Sequence, residues 1–123
     1  MKRLLITGGS SYLGRHLAPR AAQAWELVHT FYRHDPDGSG GQQLDVRDRR
    51  AVAALVRSWR PDVIVHLAGS NRTLDMREVI ELGADHVAAA AAEVGARLVH
   101  LSTDVIFDGR RAPYRESDPR ARR

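Results

Sequence analysis

Residues 4–17 read LLITGGSSYLGRHL, an apolar run entering a turn of small residues that leads into helically spaced apolar positions. A helix that opens behind a buried strand presents amide hydrogens with no intrahelical partner, together with the positive end of its dipole. Such an opening takes a diphosphate where the backbone can come close. Gly8 supplies the bend after the strand, and Gly14 lets the helix approach the sheet. Ser11 stands where dinucleotide sites place their middle glycine. Its hydroxyl could donate to a phosphate oxygen, while its Cβ restricts a backbone position that glycine would leave open at positive φ. A purely structural turn is the alternative reading of this Gly-x-x-Ser-x-x-Gly pattern.

A second group bears on the same chemistry. Sites for NAD place an acidic residue about 20 residues beyond the glycines, on the ribose 2′-hydroxyl. Here Tyr32, Arg33 and His34 close the second apolar run. Arg33 could instead pair with a 2′-phosphate, which favours NADP over NAD. With 18 arginines in the chain, an ordinary surface arginine is the other reading. Other chemistries find no footing. There is no cysteine, no Gly-x-Ser-x-Gly elbow, no lysine after the glycine turn, and no metal-ligand spacing among the six histidines.

The elements that must hold these residues alternate. Residues 2–7, 26–32, 43–46, 63–67 and 97–102 read as strands, and residues 13–25, 47–59 and 74–94 as helices. Pro19 interrupts the first helix, predicting a kink or an early end. Asp48 is placed to cap the second helix, and Gly95 to close the third. Residues 35–41 (DPDGSGG) form a loop. Residues 63–67 are apolar on both faces, which calls for helices on both sides of a parallel sheet. The pattern predicts a Rossmann-type, doubly wound α/β sheet of about five strands. Trp25 and Trp59 fall at helix ends and read as core.

The net charge of +4 is confined to the end of the chain. Residues 1–109 carry 13 basic and 13 acidic groups, and residues 110–123 carry six arginines against Glu116 and Asp118. The chain thus divides into a dinucleotide-binding unit over 1–109 and a basic, flexible tail over 110–123. A tail rather than a basic face argues against nucleic acid as a partner. No run approaches the ~18 apolar residues of a membrane span. The basic start at Lys2 and Arg3 leads into an apolar run that stops at Gly8 and Gly9, unlike a secretory leader. A cytoplasmic location is the expectation.

TGGSSYLG, LDVRD, HLAG and STDVIFDG, followed by APYRESDP, occur in this order along the chain. With them the chain resembles the extended short-chain dehydrogenase/reductases, and more narrowly the dTDP-4-dehydrorhamnose reductases. The resemblance implies an NADP-dependent oxidoreductase, NAD being the alternative, that delivers hydride to a 4-keto-deoxysugar nucleotide. It implies that Gly8, Ser10, Ser11, Tyr12, Leu13 and Gly14 form the phosphate turn. Asp45 and Val46 would flank the adenine, and Leu67, Ala68 and Gly69 would line the cofactor. Thr103 would be the catalytic hydroxyl, donating to the substrate carbonyl oxygen. The simpler readings are a helix cap for Asp45, a strand end for Leu67 to Gly69, and a polar strand terminus for Thr103. The chain departs from the family at Ser11, at Val105 in place of tyrosine, at Ile80 in place of asparagine, and in the loop SNRTLDMRE.

The resemblance also implies a Tyr-x-x-x-Lys pair that would fall just past residue 123. Tyr114 has no lysine after it, and Tyr12 has His16 four residues on; Lys2 is the only lysine. The chain by itself is therefore expected to be inactive, with the nucleotide-sugar substrate belonging to an intact homologue. The alternative is a non-catalytic dinucleotide-binding or regulatory subunit. A flavin module fits less well, since LDVRD and STDVIFDG have no role in one. Leu98, Leu101 and Ile106 are expected on an open apolar face, with the fifth strand an exposed edge through which the chain would form homo- or hetero-oligomers.

Overall fold

A computed structural model of the chain describes residues 2–32, 41–68 and 76–101. Its elements are β1 (Arg3–Thr7), α1 (Tyr12–Ala21), β2 (Glu26–Phe31), β3 (Gln42–Gln43), α2 (Arg49–Trp59), β4 (Val63–His66), α3 (Met76–Val94) and β5 (Arg97–His100). The five strands form one parallel sheet in the order β3-β2-β1-β4-β5. This is the doubly wound arrangement expected, with the strand order reversing between β1 and β4.

Alternation along the central strands explains the layers. Leu4 and Ile6 of β1 face one side, with Leu27, Val63, Val65 and Leu67, and are covered by Leu17, Ala18 and Ala21 of α1. Leu5 of β1 and Ile64 of β4 face the other, where α2 contributes Val52 and Val56 and α3 contributes Val87, Ala90 and Ala91. Leu5, Ile6 and Ile64 are 1%, 0% and 0% exposed. Burying each such side chain is worth roughly 1.5–3 kcal/mol, so these strands anchor the fold.

Helix ends follow the local chemistry. Asp48 caps α2, its carboxylate accepting from the amides of Arg50 and Ala51. α1 ends at Ala21, four residues short of the expected boundary. Pro19 lies in its last turn and has no N–H to give the preceding turn. Trp25 nevertheless joins the α1-side cluster. α2 closes on Arg60 in a left-handed conformation (φ 51°), directly before Pro61.

Two expectations need correction. The third strand is Gln42–Gln43 rather than residues 43–46. Leu44 still donates to the Phe31 carbonyl, but the Asp45 carboxylate accepts from the Arg47 amide and turns the chain out of the ladder. Leu98 is not open: it packs against the cluster beneath α2 and α3. The exposed apolar positions at this end are Val99 (48%), on the opposite face of β5, and Leu101 (55%). Ile106, Gly69, Thr103, Arg33 and residues 110–123 lie outside the described residues.

Candidate functional site

The crevice outside the carboxyl ends of β1 and β4 is where a doubly wound sheet binds its ligand, because the connections part to opposite faces there. Gly8, Ser10, Ser11, Tyr12, Leu13 and Gly14 all lie at this point, between β1 and the opening of α1. Gly8 has φ +74°, and a Cβ on it would come within 2.7 Å of the Ala68 nitrogen. A Cβ on Gly14 would lie 2.4 Å from the Gly8 carbonyl oxygen. The turn, the helix and the end of β4 are thus packed backbone against backbone. Ser11 sits at φ −67° and ψ 166°, ordinary extended backbone, so the expected cost of a side chain there does not arise. Its hydroxyl oxygen caps α1 by accepting from the Gly14 amide at 3.1 Å.

The remaining amides point to the chemistry. Gly9 donates to Thr30, Ser11 to Gly8, and Arg15 to the Ser11 carbonyl. The amides of Ser10, Tyr12 and Leu13 have no partner among the described residues. Tyr12 is 82% exposed and Leu13 half-exposed, which leaves the helix opening accessible. The turn can therefore hold an anion by backbone amides aided by the helix dipole.

Leu67 and Ala68 adjoin the turn through Thr7. The Thr7 Oγ1 accepts from the Ala68 amide at 3.3 Å and shares the Leu67 amide, at 3.2 Å, with the Thr7 backbone carbonyl at 3.0 Å. Its own proton then goes to His66 Nδ1, 2.6 Å away. His66 is thereby assigned as neutral, with its proton on Nε2. Burial, and then the neighbouring His100 ring, push its pKa down to about 4. The two imidazoles stack with centroids 5.4 Å apart.

Asp45 and Val46 lie beyond β3, where the chain crosses toward α2. Asp45 does not cap the helix; Asp48 does. The Asp45 carboxylate instead takes Arg47 Nε at 3.0 Å and Nη2 at 2.9 Å. Arg47 also donates to the Tyr32 hydroxyl at 2.6 Å and lies over its ring. Val46 is buried, and its amide has no partner among the described residues. An unpaired amide beside a carboxylate can hold a planar group that offers one acceptor and one donor, as adenine does.

Several contributors escape a reading of the sequence. Gly9 is packed so that a Cβ would meet the His29 side chain at 2.8 Å, which the doublet Gly8-Gly9 alone hints at. Thr7, His66, Arg47, Gly83 and His86 carry no pattern of their own as site residues. Among the described residues no group of three potential ligands is placed to hold a metal, and no helix is long and apolar enough to cross a membrane.

Comparisons with known proteins agree with this architecture. The family described as "RmlD substrate binding domain" matches residues 1–121. A dTDP-4-keto-6-deoxy-D-glucose reductase from Streptomyces niveus is 39% identical over 123 residues, covering 94% of this chain and 40% of that protein. Methionine adenosyltransferase 2 subunit beta from Rattus norvegicus is 34% identical over 125 residues, covering 95% and 37%. The chain thus spans about two-fifths of the length of these curated relatives. Among solved structures, a hypothetical dTDP-4-dehydrorhamnose reductase from Sulfolobus tokodaii superposes with a TM-score of 0.86 at 27% identity, covering 97% of this chain and 45% of that one. The Bordetella bronchiseptica enzyme WbmG, in complex with NAD and UDP, gives 0.82 at 25% identity, covering 97% and 43%. With its glycine turn, its parallel sheet and a match over nearly its whole length, the chain belongs to the RmlD substrate-binding-domain family of reductase-like Rossmann proteins.

Proposed function

We propose that this chain is the cofactor-binding part of an NADP-dependent sugar-nucleotide reductase, whose reaction is hydride transfer to a 4-keto-deoxysugar nucleotide. The observation that carries the reading is the set of amides at Ser10, Tyr12 and Leu13 that have no partner among the described residues, over a turn closed by Gly8 and Gly14. A diphosphate fits this cradle, since its oxygens need only donors and close backbone approach. Adenine sits at Asp45 and Val46, taking the Val46 amide on a ring nitrogen and giving its amine to a carboxylate shared with Arg47. Leu67, Ala68 and Gly69 line the rest of the cofactor.

Bound NADPH supplies the hydride. Arg33 holds the 2′-phosphate that separates NADP from NAD, and the Thr103 hydroxyl donates to the carbonyl oxygen as negative charge develops there. No tyrosine in the chain is followed four residues on by a lysine, so these 123 residues bind cofactor without turning it over. Calorimetric titration with NADPH and NADH tests the reading. Tighter binding of NADPH, weakened by Arg33→Ala, is expected. Negligible affinity for both would overturn the nucleotide site, and steady NADPH oxidation by the purified chain would overturn the inactive state.

A second reading is a non-catalytic, dinucleotide-binding subunit. It is favoured by the relative named as a subunit of methionine adenosyltransferase, and by Val99 and Leu101 exposed at an edge strand. A stoichiometric complex purified from the native source, lost on Leu101→Lys, supports this reading; a clean monomer at high concentration opposes it.

A further inference from the structure

Helix α3 grips the short segment that follows β3 at three successive points. Gly83 makes room for Val46: a Cβ there would come 2.7 Å from the Val46 Cγ2. His86 Nδ1 lies 2.9 Å from the Val46 carbonyl oxygen, and since a carbonyl only accepts, Nδ1 carries the proton and donates. Glu78 pairs with Arg47 at 3.7 Å, and Arg47 in turn holds the Asp45 carboxylate. One helix therefore fixes the side chain and the carbonyl of Val46 and the guanidinium next to it. The Val46 amide, on the other side of the residue from that carbonyl, is left without a partner among the described residues.

We propose that His86 is a positioning residue for adenine nucleotides. By anchoring the Val46 carbonyl it orients the Val46 amide and the Asp45 carboxylate toward the base. This rests on the reading that Asp45 and Val46 receive adenine. His86 touches no ligand and acts only through Val46. Its effect therefore falls on the adenine end of the ligand and spares the diphosphate, which is held by the α1 opening on separate elements.

The test compares ADP with inorganic pyrophosphate, titrated into the full chain and into His86→Ala and His86→Asn. Losing one neutral hydrogen bond corresponds to about a three- to tenfold change. His86→Ala is expected to weaken ADP by that factor and leave pyrophosphate within about twofold. His86→Asn, whose amide can still donate to Val46, restores ADP binding. Amide exchange at residues 44–48 quickens in His86→Ala without ligand and returns to the original rate in His86→Asn. Equal loss of both ligands, or unchanged ADP binding with unchanged exchange, overturns the positioning role while leaving the nucleotide site standing. A wild-type chain that binds pyrophosphate but not ADP overturns the adenine reading and this role with it. Should His86→Ala unfold, His86→Gln serves in its place, with an intermediate loss of ADP alone expected and an equal loss of both ligands contrary.

Discussion

The Thr7 hydroxyl and the His66 imidazole meet at 2.6 Å between the carboxyl ends of β1 and β4, where the sheet's connections part. The Thr7 hydroxyl accepts from the Ala68 amide and shares the Leu67 amide with its own backbone carbonyl, which leaves its proton to give to His66. A protonated ring would take away the Nδ1 acceptor of this hydroxyl. This hydroxyl joins the end of β4 to the strand from which the glycine turn springs.

His66 makes stability depend on pH in a definite direction. Its pKa is lowered from 6.5 to about 4 in the folded chain. Unfolded chain takes up the proton near pH 6.5, and folded chain only near pH 4. The contribution is complete above about pH 6.5 and is lost as the pH falls toward 4. The shift corresponds to about 3 kcal/mol. Urea unfolding at pH 7.5 and 4.5 should show a loss of this order, and His66→Gln should remove that part of the slope. Stability that is flat over this range in the wild-type chain would contradict the assignment.

Ser11 does not impair the turn. At φ −67° it occupies backbone open to any residue, and its hydroxyl caps α1. Ser11→Gly should cost only a few tenths of a kcal/mol and leave ADP affinity within about twofold, whereas Ser11→Ala should cost about 1 kcal/mol. Thermal unfolding and ADP titration measure both. A tenfold gain in affinity for Ser11→Gly would show that the serine obstructs the site after all.

Gly14 and Gly95 should separate sharply on substitution by alanine. At Gly14 the new Cβ would lie 2.4 Å from the Gly8 carbonyl oxygen, backbone that cannot yield without opening the turn. A loss of about 2–3 kcal/mol is expected, with loss of pyrophosphate binding. Gly95 has φ +72° and nothing within 4 Å of a Cβ, so only the conformational cost of about 1 kcal/mol remains. Chemical denaturation of the two variants decides it; equal losses would mean that the turn repacks.

Arg60 offers the converse. It closes α2 in the left-handed region, φ 51°, where a Cβ is unfavourable. Arg60→Gly should raise stability by about 0.5–1 kcal/mol. A fall in the melting temperature would mean that the arginine side chain contributes more than its backbone costs.

Much of the fold was legible in the residues, because its determinants are local. The nearly continuous apolar run at residues 63–67, the cap at Asp48 and the early end after Pro19 each depend on neighbours within a few positions. The family motifs likewise placed Gly8, Gly14, Asp45, Val46, Leu67 and Ala68 along one end of the sheet. The third strand stops short of the span its residues suggest because a side chain intervenes: the Asp45 carboxylate takes the Arg47 amide and turns the chain out of the ladder. The cover over Leu98 is not written in its neighbourhood, because alternation assigns faces without saying which face a helix covers.

The order of strands and helices, the glycine turn and the confinement of excess charge to the last fourteen residues follow from sequence alone, since periodicity, caps and composition act over short distances. The partners of buried polar groups do not. Thr7 and His66 are 59 residues apart, and Val46 and His86 are 40 apart. Only the folded chain decides which amides are spent on internal bonds and which are left for a ligand, because that depends on which segments the sheet and α3 bring within 3 Å of one another.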